Sequence, residues 1–311
     1  VAATLPAWPR YGKQPAVNDV VLWEEIQAAL SATLGERVRF SQHSAVGGGC
    51  INQAHRVDSN RGPFFVKLNT ADGLDMFAAE AAGLEELQQV ESLRVPTPLS
   101  WGLAAGQAFL VLEFLDLGGP GSQASLGAGL AAMHRINADQ FGWYRDNTIG
   151  ATPQRNTQCS DWCEFWNKWR LGLQLELAGR HGANRQLLER GQHLLASLPA
   201  LLQGHSPEPS LLHGDLWSGN HAFTRAGEPA IFDPAVYYGD RETDLAMTEL
   251  FGGFGRDFYA AYRAAWPLDT GYATRKRLYK LYHVLNHFNL FGGAYQLQAQ
   301  ALIDSLLAEL G

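Results

Sequence analysis

Between Asp19 and Leu34 the apolar residues Val20, Val21, Trp23, Ile26, Leu30 and Leu34 recur at helical spacing, which places one apolar stripe on a 3.6-residue period and predicts an amphipathic helix. Asn18 or Asp19 supplies its cap and Gly35 its stop. Four short runs of β-like pattern follow, Arg37 to Ser41, Ala54 to Asp58, Phe64 to Leu68 and Ala108 to Phe114, with glycine-rich turns among the first three; they predict a meander of strands. Between the third and fourth runs, Met76 to Val90 is rich in Ala, Leu, Glu and Gln, which favour helix, and Pro96 and Pro98 close it. Beyond Leu117 to Gly121, a Gly- and Pro-bearing stretch suited to a hinge, the period turns helical over residues 125–137, 161–178, 185–202 and most of 243–308. Ser210 to Leu212 and Ala230 to Phe232 interrupt it as short strand-like runs. No internal repeat is evident, which argues against a solenoid.

The pattern predicts an α+β chain of two lobes: a small β-rich one over residues 1–115 and a larger, mainly helical one over residues 116–311. A ligand pocket is expected in the cleft between two such lobes. The length of 311 residues suits two lobes, and 46% hydrophobic with 18% charged residues speaks against long disorder or coiled coil. The balance of 24 basic and 31 acidic residues gives a net charge of −7 with no long basic run, so no nucleic-acid partner is expected. Any phosphate ligand must then be neutralised locally, because the overall field is unhelpful. Three cysteines, Cys50, Cys159 and Cys163, are too few for a disulfide framework, which favours a reducing compartment and, by default, the cytoplasm. No apolar run approaches the ~18 residues that span a bilayer, and Val1 to Tyr11 lacks the basic-then-apolar pattern of an export signal; neither membrane association nor export is expected.

The sharpest chemical string is Leu211-Leu212-His213-Gly214-Asp215-Leu216-Trp217-Ser218-Gly219-Asn220, which sets an Asp and an Asn five positions apart after an apolar run. That spacing matches a kinase catalytic loop, in which the Asp takes or orients the acceptor hydroxyl proton and the Asn carbonyl oxygen helps hold a magnesium ion on the phosphates. Its alternative is an ordinary polar turn. Thirteen residues on, Ile231-Phe232-Asp233-Pro234 ends another apolar run in an Asp. One Asp, one Asn and ATP form a sufficient oxygen set for Mg2+. Upstream, Gly47, Gly48, Gly49, Cys50, Ile51 and Asn52 lie between strand candidates, where glycines let backbone N–H groups approach phosphate oxygens, although a plain hairpin turn has the same composition. Phe64-Phe65-Val66-Lys67 ends a strand in a lysine suited to the α and β phosphates, with Glu80 its natural carboxylate partner and Glu85 and Glu86 as substitutes. The Glu113 carbonyl and Leu115 N–H, at the end of the fourth run, are the main-chain candidates for pairing with adenine.

With these residues assembled, the chain resembles the fructosamine kinase (ketosamine-3-kinase) family, a branch of the protein-kinase-like fold that also holds aminoglycoside and choline phosphotransferases. The resemblance runs from Asp19 to the C-terminus and is carried by Gly47 to Ile51, Phe65 to Lys67, His213 to Asn220, Asp233-Pro234-Ala235 with Tyr238-Gly239, and Phe251-Gly252-Gly253-Phe254. It implies a bilobal kinase-like fold and ATP-dependent phosphorylation of the sugar 3-hydroxyl of ketosamines. That step makes the adduct labile and frees its amine, whether the adduct is a small metabolite or sits on a glycated protein lysine. It further implies that Asp215 is the catalytic base, Asn220 and Asp233 the metal ligands, and Lys67 with Glu80 the phosphate-anchoring pair. A kinase for an aminoglycoside, choline-like or other amino-alcohol acceptor is the same-fold alternative, against which Trp217 and the triple glycine argue.

Trp217, two residues past the base, suits stacking on a sugar or amine substituent, and His287 is a second candidate substrate contact. Asp240 and Asp244 are expected to tie down the loop and cap the helix beginning near Thr243. Cys50, among backbone amides and near Lys67, could ionise and oxidise, blocking ATP or bridging two chains, so a monomer or a redox-sensitive dimer is expected; a small residue chosen for fit is the alternative. Cys159 and Cys163 beside Trp162 and Trp166 read as packing, since zinc normally needs four ligands.

Overall fold

Leu22, Trp23, Ile26 and Leu30 form the buried stripe of helix α1 (Asp19–Leu34) in the computed structural model, which describes residues 19–47 and 51–310. Gly35 follows it at φ +67°, a left-handed conformation that costs glycine nothing. The described chain divides into two compact units. One takes residues up to Phe77 together with Leu99–Leu112, the other Ala78–Pro98 together with Glu113 onward.

In the first unit, β1 (Phe40–Val46), β2 (Gln53–Ser59), β3 (Phe64–Thr70), β4 (Pro98–Ala104) and β5 (Gln107–Glu113) form a sheet in the order β1-β2-β3-β5-β4. β1 and β2 are antiparallel and end at the pair Val46↔Ala54, and β2 pairs antiparallel with β3 so that Ala54 faces Lys67. Val57, Phe64, Val66, Leu68, Phe109 and Val111 pack against the α1 stripe on one face. Because strand side chains alternate, Lys67 belongs to the other face from Val66 and Leu68; it is only 5% exposed. The first strand begins at Phe40 rather than Arg37. β4 was not anticipated: its apolar Trp101 and Leu103 are 42% and 54% exposed while Ser100 and Ala104 are buried, an inverted phase on an edge strand.

The second unit contains most of helix α2 (Leu74–Leu87), then α3 (Gln123–His134), capped by the Ser122 hydroxyl, and the hairpin of β6 (Asn147–Ile149) with β7 (Thr152–Gln154). Next come α4 (Trp162–Phe165), capped by Asp161, a π-helical turn over Trp166–Leu171, α5 (Gly172–Arg180) and α6 (Arg185–Leu201). The expected helix over 161–178 is therefore interrupted by a wide turn. That turn carries Arg170, fully buried with its guanidinium 3.9 Å from the Tyr237 ring and bonded to the Arg155 carbonyl at 2.6 Å and Asn156 Oδ1 at 2.7 Å. α7 (Glu242–Thr248), α8 (Arg256–Ala265), α9 (Tyr272–Phe291) and α10 (Tyr295–Ala308) complete the unit, preceded by β8 (Ser210–Leu212), β9 (His221–Phe223), β10 (Pro229–Ile231) and β11 (Tyr237–Gly239). Among the described residues no helix is long and apolar enough to cross a membrane.

Residues 78–98 group with the second unit because α2 and the chain after it are bonded there. Tyr238 donates to Glu86 Oε1 at 2.6 Å, Arg94 N donates to the Pro229 carbonyl at 2.7 Å, and a Cβ on Gly83 would lie 3.2 Å from Val236.

Candidate active site

Two antiparallel ribbons, β8 with β11 and β9 with β10, set the site. The chain runs β8, loop 213–220, β9, then β10, loop 232–236, β11, so both loops pass between the same two ribbons. They are tied directly: Phe232 N donates to the Asn220 carbonyl at 3.1 Å and Ala235 N to the His213 carbonyl at 2.8 Å. Gly214, at φ +82°, allows this approach, since a Cβ there would stand 2.0 Å from the Ala235 oxygen.

The catalytic and metal-ligand candidates of this unit, Asp215, Asn220 and Asp233, come together here. The Asn220 amide nitrogen donates to the Asp215 carbonyl at 2.8 Å and lies 3.4 Å from Asp215 Oδ2 and 3.3 Å from the Asp233 carbonyl. With its nitrogen spent on protein oxygens, its Oδ1 is the atom left to face a cation. Asp233 is exposed and held at φ +57°, in the left-handed region, a conformation that Asp tolerates and that concentrates at functional sites. Burial, then the negative charges of Asp233 and Asp244, push the Asp215 carboxyl well above the usual carboxylate range, against the bond from Asn220. This congestion of carboxylates, with an amide oxygen beside it, fits a hard divalent cation.

A second set of buried residues holds the loop. Asp244, on α7, accepts from His213 N at 2.8 Å and Gly214 N at 2.9 Å, the two residues before the candidate base. His134 Nε2 reaches the same carboxylate at 3.1 Å, His134 Nδ1 meets the Tyr262 hydroxyl at 2.7 Å, and Arg241 donates to that hydroxyl at 3.2 Å. Burial opposes ionisation of Asp244, yet the bond and charge of His134, the charge of His213 and the Gly214 N–H outweigh it and keep its carboxyl below the usual range. Burial pulls the His213 pKa down, against the charge of Asp244 and the bond to Phe232. Its Nε2 donates to the Phe232 carbonyl at 3.0 Å and its Nδ1 accepts from Asp215 N at 3.3 Å, which joins the two loops. As expected, Asp240 also organises α7: it accepts from Glu242 N at 3.0 Å and bonds His205 at 2.6 Å and the Tyr279 hydroxyl at 2.5 Å. His205, Glu242 and Asp269 hold ligand atoms within 4.8 Å of one another. Glu242 accepts from Arg275 at 2.7 and 2.8 Å, however, so an ion-pair network accounts for that cluster.

Trp217 is 38% exposed rather than buried beneath the loop, and its ring is 6.4 Å from that of Phe251 and packed over Gly219. Phe251 is 4.8 Å from His287, so both candidate substrate residues share one ring cluster. Lys67 lies in β3 of the first unit and Glu80 in α2. The substitute Glu86 is occupied by Tyr238 and Trp143, and Glu85 is exposed. Gly47, Ile51 and Asn52 belong to the β1–β2 connection, and Asn52 Oδ1 accepts from Asn69 at 2.6 Å. Gly48, Gly49 and Cys50, and with them the redox reading, fall outside the described residues. Glu113 ends β5, its carboxylate paired with Arg94, and Leu115 follows in the chain beyond. Cys159 bonds the Asp161 carbonyl at 3.3 Å, and burial pushes the Cys163 thiol up.

His134, Tyr262 and Arg241 had no role assigned from the sequence. The available signal was a histidine on the apolar face of α3, beside the buried Leu126, Leu130 and Met133.

A five-stranded sheet unit together with a mainly helical unit whose Asp–Asn loop meets an Asp-bearing turn is the make-up of the protein-kinase-like fold. Aminoglycoside phosphotransferase APH(4)-Ia shares that fold, with a TM-score of 0.58 at 14% identity over 93% of this chain and 99% of its own. The fructosamine kinase profile matches residues 22–309, and the chain belongs to that family. A Synechocystis protein named as a ketoamine kinase is 47% identical over 94% of this chain and 99% of its own. The chloroplastic protein-ribulosamine 3-kinase of Arabidopsis thaliana is 45% identical over 89% of this chain and 86% of its own. A solved Haemophilus somnus structure assigned to fructosamine-3-kinase superposes with a TM-score of 0.84 at 30% identity, covering 93% of this chain and 98% of its own. The chain is a kinase.

Proposed function

We propose that this kinase transfers the γ-phosphate of ATP to the sugar 3-hydroxyl of ketosamines, the adducts of reducing sugars with amines, and so labilises them and frees the amine. The observation that carries the reading is the joining of Asp215, Asn220 and Asp233 by hydrogen bonds across two loops that share one pair of ribbons. The name of the Arabidopsis relative supports the choice of hydroxyl.

In this reading Asp215 accepts or orients the proton of the attacking hydroxyl. Its raised pKa, set first by burial and then by Asp233, moves it toward the range where a general base works near neutrality. The Asn220 amide oxygen and the Asp233 carboxylate would hold Mg2+, whose contribution when bound is to offset charge on the phosphates. Lys67, with Glu80, anchors the α and β phosphates; Gly47, Ile51 and Asn52 offer backbone groups to them; the Glu113 carbonyl and Leu115 N–H meet the adenine. Trp217 and His287 contact the ketosamine. Catalysis is mainly positioning and charge neutralisation, as phosphoryl transfer requires.

The test is product analysis. Enzyme, ATP and Mg2+ are incubated separately with fructosyl-lysine, ribulosyl-lysine, an aminoglycoside and choline, and products are read by phosphorus and proton NMR. Phosphate on the C3 oxygen of a ketosamine is expected. Phosphate at another position, or turnover of the aminoglycoside or choline in preference, overturns the proposal.

A further inference from the structure

Trp217 is the first of a connected series of rings that leaves the catalytic loop. Its ring meets Phe251 at 6.4 Å, Phe251 meets His287 at 4.8 Å, and His287 meets Phe291 at 5.7 Å and Tyr295 at 5.2 Å between centroids. The series draws on the catalytic loop, the loop after α7, the last turns of α9 and the first residue of α10. Trp217, Phe251 and Phe291 are 38%, 40% and 57% exposed, and among the described residues of the second unit Tyr144 is the other strongly exposed aromatic. Exposed apolar surface gathered in one place marks a binding surface rather than scattered accident.

The chemistry of the series is that of an apolar chain carrying an N–H. Its members hold no carboxylate, ammonium or guanidinium. His287 Nδ1 donates to the His283 carbonyl at 2.8 Å, so Nε2 keeps its lone pair, and burial favours the neutral ring. Trp217 lies two residues past Asp215, so the rings start beside the acceptor place of the proposed reading, and a polypeptide attached to that acceptor can reach them. Successive ring steps of 6.4, 4.8 and 5.7 Å correspond to a few residues of extended polypeptide, at about 3.3–3.6 Å per residue.

We infer that Phe291 and Tyr295 dock the polypeptide around a modified lysine. The sugar lies by Asp215 and Trp217, the lysine alkyl chain runs past Phe251 and His287, and an apolar residue neighbouring that lysine covers Phe291 and Tyr295. The inference rests on the ketosamine reading above and adds a preference for adducts on protein with an apolar flank.

Three adducts of one sugar decide it: on the side chain of a blocked single lysine, in a short peptide with leucines flanking the lysine, and in the same peptide with glycines. Wild type is expected to favour the leucine peptide in kcat/KM. Phe291→Ser and Tyr295→Ser, made separately at surface positions, should each cut that preference about tenfold through KM, the scale of one aromatic contact. Phe291→Leu, which keeps apolar bulk, should retain most of it. A preference unchanged in both serine variants, or an equal loss on all three adducts, overturns the docking surface. Wild type that phosphorylates none of the three sinks the ketosamine reading itself; wild type active on the single-lysine adduct without a peptide preference sinks only the docking surface.

Discussion

Replacing Asp244 by asparagine asks whether one buried carboxylate holds the catalytic loop in place. Its Oδ1 accepts from Gly214 N at 2.9 Å, and its Oδ2 accepts from His213 N at 2.8 Å and His134 Nε2 at 3.1 Å. Asparagine has almost the same shape but offers one oxygen, and it turns an NH2 toward a group that is itself a donor. At least one of the three bonds is lost and the others lose the acceptor's charge. Hydrogen bonds to a charged group contribute about 1.5–3 kcal/mol each, and a buried donor left without its acceptor costs about 1–3 kcal/mol more. The variant should therefore lose about 3–5 kcal/mol of stability. At about 2 °C per kcal/mol for a chain of this size, its melting temperature should fall by roughly 6–10 °C. Asp215 follows Gly214 directly, so slackening there displaces the proposed base, and about 1 Å of misplacement costs on the order of a hundredfold in rate. Thermal unfolding followed by circular dichroism, with ADP release measured well below the new midpoint, reads both effects. A melting temperature within 2 °C of wild type together with kcat within about threefold would show that β8 and β9 hold the loop without Asp244, and the reasoning would be wrong.

Two further outcomes follow from the same geometry. Burial, helped by His287, pulls the pKa of His283 down to about 3, so the folded protein keeps it neutral while the unfolded chain binds its proton near pH 6.5. Between those values the unfolded state carries more protons, stability falls as pH falls, and roughly 2–3 kcal/mol should be lost between pH 7 and 4.5 from this residue; His283→Gln should flatten the acid side of a urea-midpoint profile, and an unaltered profile would refute the assignment. Gly214→Ala places a methyl 2.0 Å from the Ala235 oxygen at a φ of +82°, so it should cost at least ~2 kcal/mol and most of the activity; an active variant with wild-type stability would mean the two loops are not packed as described.

The elements legible in the sequence were those whose burial follows a simple period. Helix α1 has the span its apolar spacing predicts, Ser210–Leu212 is a strand as expected, and the string from His213 to Asn220 led directly to the place where Asp215, Asn220 and Asp233 meet. β4 stayed hidden because an edge strand with Trp101 and Leu103 outward and Ser100 inward carries the wrong alternation. The π-helical turn stayed hidden because one inserted residue hardly disturbs a helical period, although it is what accompanies the burial of Arg170. The support behind the catalytic loop was the least legible part. Asp244 was expected to tie down the loop, but its partner His134 lies 110 positions from it and 128 from Tyr262, contacts that only folding makes. A lone polar residue on an apolar helix face was their single trace, and it does not name its partner.

We propose that Asp215 takes the acceptor's proton beside a cation held by Asn220 and Asp233. Asp215→Asn keeps the shape of the side chain and removes that capacity, so steady-state phosphorylation of a ketosamine and ATP-analogue binding by calorimetry should be measured on the same preparation. Turnover lower by a factor on the order of 10³ or more, with nucleotide affinity within about threefold of wild type, is the predicted result. Turnover that survives the substitution, or that disappears together with nucleotide binding, would contradict the assignment.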